Sequence, residues 1–582
     1  MAQHLKHNFR IVAVAIALAI ASPLGDSIIV HSIALAASVR PVRGEGGMVV
    51  SAHPLATDAG VEMLEQGGNA VDAAVATALA ISVVEPFSAG IGGGGFLLYY
   101  DAASGDIEAL DFRERAPQAA FRDLYLDADG EVIPRASLDG HLAVGVPGTV
   151  AGLAEVHERY GVLPWEVVVA PAIALAEGGF PVHRRFVSAI DRRQETLWQN
   201  PAAVEVFANR GEPYAVGDIW VQPDLAETLK AIAADPDRFY EGEIAAAIAA
   251  DMAANGGLIG IEDLAAYRPI WREPLCGKFR EAQVCSMPPP SSGGVHLLQM
   301  LNMLGDTELA AAGWHDADVL HLMVESMRIA YADRATYLGD PDFVEVPVTA
   351  LTSPDYAAER LAEIDRTRAR PSEEVQAADA ETIARLSESE DTSHLTVVDG
   401  DRNAVSLTFT VNGTFGAAVV AEGTGILLNN EMDDFAAAPG VPNLFGLVGS
   451  DANAIAPGKT PLSSMSPTIV LQDGELRLAT GSPGGSTIIT TVLQIVLNVL
   501  AYGMDAGEAI SAPRLHHQWW PDRLIVEQWG FDAATLADLE ARGHESSFRA
   551  GWGNANAIAV TPDGSLEGAA DPRQDGTARA TR

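Results

Sequence analysis

Apolar positions at residues 56–65 and 70–84 recur with helical spacing, broken at Gly67-Gly68-Asn69. The second stretch is apolar almost all round, which predicts a helix buried between layers. Alternating runs at 96–100 and 107–113 predict a hairpin around Ser104-Gly105-Asp106. From about 140 to 340 the helical period returns, as at 149–160, 171–177 and 316–332, interrupted by one hairpin pattern around Lys278-Phe279-Arg280-Glu281. Residues 366–391 are polar and acidic with few large apolar side chains, and predict a flexible linker open to cleavage. Beyond them the pattern changes to strand pairs. Residues 395–398 and 404–411 flank Asp399-Gly400-Asp401-Arg402-Asn403, 468–472 and 475–479 flank Asp473-Gly474, and 557–561 and 565–569 flank Pro562-Asp563-Gly564. Helical spacing resumes at 487–500 and 533–541. This order of helices, strands, more strands and helices predicts two sheets face to face with helices outside.

Composition adds a core and a charge. Of the 582 residues 48 % are hydrophobic and 20 % charged, ample for a globular interior. Asp and Glu number 78 against 37 Lys and Arg, a net charge of −41, and Lys6, Lys230, Lys278 and Lys459 are the only lysines. Such a surface repels phosphate backbones and disfavours nucleic-acid partners; it fits a soluble protein kept apart by its charge. Lys6, His7 and Arg10 precede an apolar run at 11–21, with small-residue sites at Ala19-Ile20-Ala21 and Ala34-Leu35-Ala36. This is the plan of a secretory signal over residues 1–36, and predicts export to the periplasm or medium. The run is short for a membrane span, and no later segment is long and apolar enough for one. Cys276 and Cys285 flank the turn of the central hairpin pattern. A disulfide suits an oxidising compartment, two free buried thiols are the alternative, and there is no zinc-ligand spacing.

The candidate chemistry centres on Thr392, in Glu390-Asp391-Thr392-Ser393-His394. A hydroxyl at the mouth of a strand, behind a cuttable linker, could become a new N-terminus whose freed α-amine serves as its base. A structural threonine opening a strand is the alternative. Gly481-Ser482-Pro483-Gly484-Gly485-Ser486 lies between a predicted strand and helix and lacks the Gly-Lys-Ser/Thr ending of a phosphate loop. Amides of Gly484 and Gly485 could hold an oxyanion, or the run could be a tight turn. Gly92-Gly93-Gly94-Gly95 lacks dinucleotide spacing and suits close backbone packing. Arg113 could grip a carboxylate bidentately or form a surface ion pair. Asp433-Asp434, after Asn429-Asn430-Glu431, could face a substrate ammonium, and Ser463-Ser464 could donate to a carboxylate; turns and caps are the alternatives. His315 and His321, in a predicted helix without metalloprotease spacing, read as structural.

These segments together resemble the γ-glutamyltranspeptidases, also called glutathione hydrolases. The matching stretches are Gly67-Gly68-Asn69-Ala70-Val71-Asp72-Ala73-Ala74, Asp111-Phe112-Arg113-Glu114, Met287-Pro288-Pro289-Pro290-Ser291-Ser292-Gly293-Gly294 and Thr392-Ser393-His394. They continue through Gly425-Ile426-Leu427-Leu428-Asn429-Asn430, Pro461-Leu462-Ser463-Ser464-Met465-Ser466-Pro467-Thr468 and Gly481-Ser482-Pro483-Gly484-Gly485. The resemblance runs from about residue 44 to near the C-terminus. It implies an α+β N-terminal-nucleophile hydrolase fold, a four-layer αββα sandwich formed jointly by two subunits of one precursor. Self-cleavage between Asp391 and Thr392 would give a large subunit of 37–391 and a small subunit of 392–582, paired as a heterodimer. Thr392 would attack the γ-amide carbonyl of glutathione or another γ-glutamyl compound, and the resulting γ-glutamyl ester would pass to water or to an amino-acid or dipeptide acceptor.

Carried over residue by residue, the Gly484 and Gly485 amides hold the oxyanion and Thr410 helps to activate Thr392. Arg113, Ser463 and Ser464 hold the substrate α-carboxylate, and Asp434, Glu431 and Asn412 its α-amino group. No metal or organic cofactor is implied. Phe445 stands where a relative has tyrosine, so the lid loop at 439–450 lacks a phenol hydrogen bond; Glu431 stands where some relatives have glutamine. A cephalosporin or glutaryl acylase on the same scaffold is the nearest rival, and a non-maturing exported binding protein is the rival of another class.

Overall fold

Along Ser393–Val398 the side chains divide between two apolar clusters. Leu395 and Val397 pack with helix Ala70–Val84, while Val398 joins the core on the other side. Successive strand residues point to opposite faces, so His394 and Thr396 turn with Val398 toward a second sheet, and Thr392 shares their parity. The computed structural model describes residues 39–305, 307, 309–375 and 392–581. The expected signal segment 1–36, the linker residues 376–391 and with them Asp391 lie outside the described residues.

Seven strands make the first sheet, in the order Thr577–Ala580, Met48–Ser51, Ser393–Val398, Ala404–Thr410, Gly94–Tyr100, Ile107–Phe112 and Ile270–Arg272. Seven more make the second: Val42–Gly44, Leu566–Ala570, Asn556–Val560, Glu475–Gly481, Thr468–Gln472, Ala282–Ser286 and Leu275–Phe279. Every pairing in both is antiparallel. The sheets face each other along Ser393–Thr410 and Thr468–Gly481, where Ser406 Oγ donates to Thr480 O at 3.0 Å and Asn556 Nδ2 to His394 O at 2.7 Å. Helices Pro54–Glu65, Ala70–Val84 and Trp165–Gly178 cover the first sheet; Gly293–Leu304, Ala317–Tyr337 and Ile488–Leu500 cover the second. The four-layer αββα arrangement is thus as expected.

Helix Ala70–Val84 is buried at every position. Its start is fixed by a reciprocal cap: Asn69 accepts from the Val71 and Asp72 amides, and Asp72 accepts from Asn69 N at 2.9 Å. The glycine run serves close approach, as expected: a Cβ on Gly93 would lie 1.8 Å from the Thr410 carbonyl oxygen. Among the described residues no helix is long and apolar enough to cross a membrane.

Some sequence expectations are corrected. The helix expected at 171–177 begins at Trp165 and carries Pro171 inside. Proline removes one helical hydrogen bond, but buried Val168, Val169, Ala172 and Ala176 hold the helix by packing. His315 precedes, rather than occupies, helix Ala317–Tyr337 and stacks on Trp314 and Phe531. The acidic segment is not loose throughout. Ala369 N donates to Arg542 O at 2.8 Å, Ser372 N to Asp522 Oδ2 at 2.8 Å and Ser372 Oγ to Trp519 O at 2.6 Å, with Ser372 and Val375 buried. Backbone polar groups that find partners override a polar composition.

Cys276 and Cys285 face each other across Leu275–Phe279 and Ala282–Ser286 and are joined as a disulfide. The hairpin lies at a sheet edge, away from the pocket described below. Cys276→Ser with Cys285→Ser is therefore expected to lower stability in denaturant titration by about 2 kcal/mol, the entropy of a short closed loop, with kcat/KM unchanged.

Candidate active site

Register places the site. Ser393 pairs with Phe409 and Gly94 with Thr410, so Thr392 and Thr410 meet at the ends of adjacent strands. Their hydroxyl oxygens lie 3.3 Å apart, both buried. Asn412 N donates to Thr410 Oγ1 at 2.8 Å, which leaves the Thr410 proton to point elsewhere, and Thr392 Oγ1 is within reach. His394 is not a candidate base. Its ring is held by Thr408 Oγ1 at 2.9 Å and Thr396 Oγ1 at 3.0 Å, and burial lowers its pKa to about 3. No histidine is among the residues lining the pocket around Thr392.

The strand Glu475–Gly481 ends at the second glycine run, which turns into helix Ile488–Leu500. Gly484 and Gly485 have φ of 135° and 53°, values that favour glycine. Neither amide donates to an acceptor among the described residues. A Cβ on Gly485 would lie 2.3 Å from the Phe445 ring, so the turn is packed against the segment 439–450. Gly485 lines the pocket, and Gly484 precedes it.

Opposite stand charged groups. Arg113, just past Ile107–Phe112, is 1 % exposed, not a surface residue. Its Nη1 lies 2.5 Å from Glu431 Oε1, its Nη2 2.5 Å from Asp434 Oδ2, and its Nε donates to Pro461 O at 3.0 Å. Burial opposes its charge, but Glu431 and Asp434 outweigh burial and hold the guanidinium above its ordinary value. Glu114 is buried beside Glu431. Burial first, then the Glu431 charge, push the Glu114 carboxyl well above the usual range, so it carries the proton of this pair. Burial raises Glu431 to about 7 against the pull of Arg113.

Of the two aspartates only Asp434 lines the pocket. Asp433 turns away to accept from Ser137 Oγ at 2.6 Å and Leu444 N at 2.8 Å. Asn412, with φ of 73°, Ser463 and Ser464 line the same pocket, which holds the expected set except Gly484. Phe445 walls it; its segment is held through Asn443 Nδ2, which donates to Asp434 Oδ1 at 2.9 Å, and Gln518 Nε2, which donates to Phe445 O at 3.1 Å. Sequence reasoning missed Arg334, Leu447, Met465 and Ile488. For Arg334 the sequence held no local signal, since its partners Ser292 and Ser464 lie on distant segments.

Two antiparallel sheets between helix layers, with a threonine opening a central strand at a pocket, define an N-terminal-nucleophile hydrolase. The Gamma-glutamyltranspeptidase family profile matches residues 56–581, and the chain belongs to that family as one of its enzymes. It is 50 % identical to the glutathione hydrolase proenzyme of Escherichia coli strain K12 over 535 residues, 92 % of this chain and 91 % of that one. Among solved structures, cephalosporin acylase from Bacillus halodurans is similar with a TM-score of 0.82 at 30 % identity, over 95 % of this chain and 99 % of that one. The γ-glutamyltranspeptidase of Helicobacter pylori is similar with a TM-score of 0.56 at 42 % identity, over 57 % of this chain and 95 % of that one.

Proposed function

We propose that the chain is an exported precursor that cuts itself between Asp391 and Thr392, and that Thr392 then cleaves the γ-glutamyl bond of glutathione and related compounds. The observation that carries this is the meeting of the Thr392 hydroxyl with a pocket holding both signs of charge. In the precursor the Thr392 hydroxyl adds to the Asp391 carbonyl, the peptide bond gives way to an ester, and water hydrolyses it, leaving a large subunit of 37–391 and a small one of 392–582. The freed α-amine, with an ordinary pKa of about 7.7–8.0, takes the hydroxyl proton near neutral pH. With no histidine lining the pocket, and with Glu431 and Asp434 both engaged by Arg113, this amine is the base that the proposal assigns.

In catalysis Thr392 Oγ1 attacks the γ-carbonyl, the Gly484 and Gly485 amides receive the oxyanion, and Thr410 donates toward Thr392. Asp434, Glu431 and Asn412 take the substrate ammonium; Ser463, Ser464 and Arg113 take the α-carboxylate. The amine product leaves, and water or an amino-acid or dipeptide acceptor removes the γ-glutamyl group. An acylase acting on glutaryl chains would need no acceptor for an ammonium, and buried Glu431 with Asp434, whose side chain is 9 % exposed, argue against it. The test is turnover of a γ-glutamyl anilide against the glutaryl analogue: strong preference for the first supports the proposal, and the reverse overturns it.

A pH dependence follows for ligand binding. Ionised Glu431 attracts an ammonium, and burial raises its pKa to about 7. The Ki of L-glutamate as a competitive inhibitor is therefore expected to fall as pH rises through about 7. Glu431→Gln should flatten that profile.

A further inference from the structure

Among the described residues, buried arginines meet carboxylates, with one exception. Arg113 pairs with Glu431 and Asp434, Arg328 with Glu325 and Asp522, and Arg514 with Asp571. Arg334, from helix Ala317–Tyr337, lines the pocket and is 5 % exposed. Among the described residues no carboxylate lies within ion-pair distance of it. Its side-chain contacts are two hydroxyls: Nε donates to Ser292 Oγ at 3.0 Å and Nη2 to Ser464 Oγ at 3.3 Å. Ser292 Oγ donates in turn to Ser463 O at 2.8 Å, so the guanidinium is tied to both members of the Ser463-Ser464 pair.

Guanidinium groups only donate, so Ser464 Oγ must accept from Arg334 and its own proton turns away. Ser463 Oγ likewise accepts, from Met465 N at 3.1 Å. Both hydroxyl protons are thereby left for an acceptor entering the pocket. A buried cation with no carboxylate in contact is costly, and Asp434 offsets this one only from beyond ion-pair distance. Burial lowers the Arg334 pKa to about 10, yet the group stays charged at neutral pH. Its charge is therefore available to an anion that the pocket takes in.

We infer that Arg334, with no carboxylate in direct contact, supplies positive charge to the substrate α-carboxylate site and orients the Ser464 hydroxyl toward that carboxylate. The inference rests on the proposed assignment of Ser463 and Ser464 to the α-carboxylate. Arg113 is poorly placed to supply this charge alone, because Glu431, Asp434 and Pro461 O already engage its three nitrogens. The labour divides between them. Arg113 holds two carboxylates for an ammonium as well as serving the α-carboxylate, and Arg334 orients the Ser464 hydroxyl for that carboxylate, so an amino-acid head group is met charge for charge. Arg334 is a positioning residue in this scheme.

The test compares a γ-glutamyl anilide with the 4-aminobutyryl anilide, the same amide without its α-carboxylate, on variants shown by gel to be processed as the parent is. Arg334→Gln is expected to raise KM for the γ-glutamyl anilide about 10- to 100-fold, the worth of a hydrogen bond to a charged group, with kcat far less affected. Its kcat/KM for the 4-aminobutyryl anilide should match the parent's. Arg334→Lys, which restores charge without the planar fork, should recover part of the loss. Ser464→Ala should act in the same direction, and the double variant should cost less than the sum. An equal fall for both anilides in Arg334→Gln overturns the inference. If Arg334→Gln does not fold, Arg334→Lys carries the test: KM should rise for the γ-glutamyl anilide alone, and an equal change for both overturns the inference. Discrimination by Ser464→Ala but not by the Arg334 variants defeats this inference alone. No discrimination by Ser464→Ala defeats the underlying carboxylate assignment.

Discussion

Thr392→Ala is expected to give a single uncut polypeptide on a denaturing gel and to lose γ-glutamyl anilide turnover by roughly 10⁶-fold, the scale of removing a covalent nucleophile. Both losses have one cause. In the proposed scheme the hydroxyl that attacks substrate also attacks the Asp391 carbonyl, and without that first attack no α-amine is freed. The fold should survive, because the methyl side chain still fits a buried strand end beside Thr410. Thr392→Ser keeps the hydroxyl and should still be cut, more slowly, since serine is less restrained at χ1. Terminal sequencing of active parent enzyme should find the shorter piece beginning at Thr392. Cleavage of the alanine variant at the same bond would show that another group performs the processing.

The second large effect is expected at Asp434. Asp434→Asn keeps the shape but removes the charge that faces Arg113 and, in the proposed scheme, the incoming ammonium. Breaking a buried ion pair from one side costs about 3–5 kcal/mol, so kcat/KM for the γ-glutamyl anilide should fall about 10²- to 10³-fold. Turnover of the glutaryl analogue, which has no ammonium, should hold or rise. The ratio of the two substrates is therefore the decisive readout, because general damage lowers both. A γ-glutamyl preference unchanged in Asp434→Asn would remove this residue from ammonium recognition.

Much of this site could be read from the chain, and the reasons differ by residue. Strand alternation and turn residues located Ser393–Val398 and Ala404–Thr410 closely, because a buried sheet imposes a strict period. Helix Ala70–Val84 was legible to the residue, because an apolar run follows directly on the break Gly67-Gly68-Asn69. The resemblance to γ-glutamyltranspeptidases, not periodicity, brought Arg113, Asp434 and Ser463 into one pocket. Arg334 escaped both routes: its contacts with Ser292 and Ser464 join three distant segments, and no local pattern encodes them. The packing of residues 369–375 escaped for the opposite reason, since its composition points to solvent while its backbone finds partners.

The two seven-stranded sheets mix strands from either side of residue 392. Met48–Ser51 lies between Thr577–Ala580 and Ser393–Val398, and Ala282–Ser286 lies against Thr468–Gln472. A scission at that point would yield two polypeptides woven through each other, each capping the other's open edges. They could not part and trade places with fragments of another molecule without melting both sheets. A tagged and an untagged batch of processed enzyme, mixed and incubated, should keep their original pieces for as long as the native state lasts.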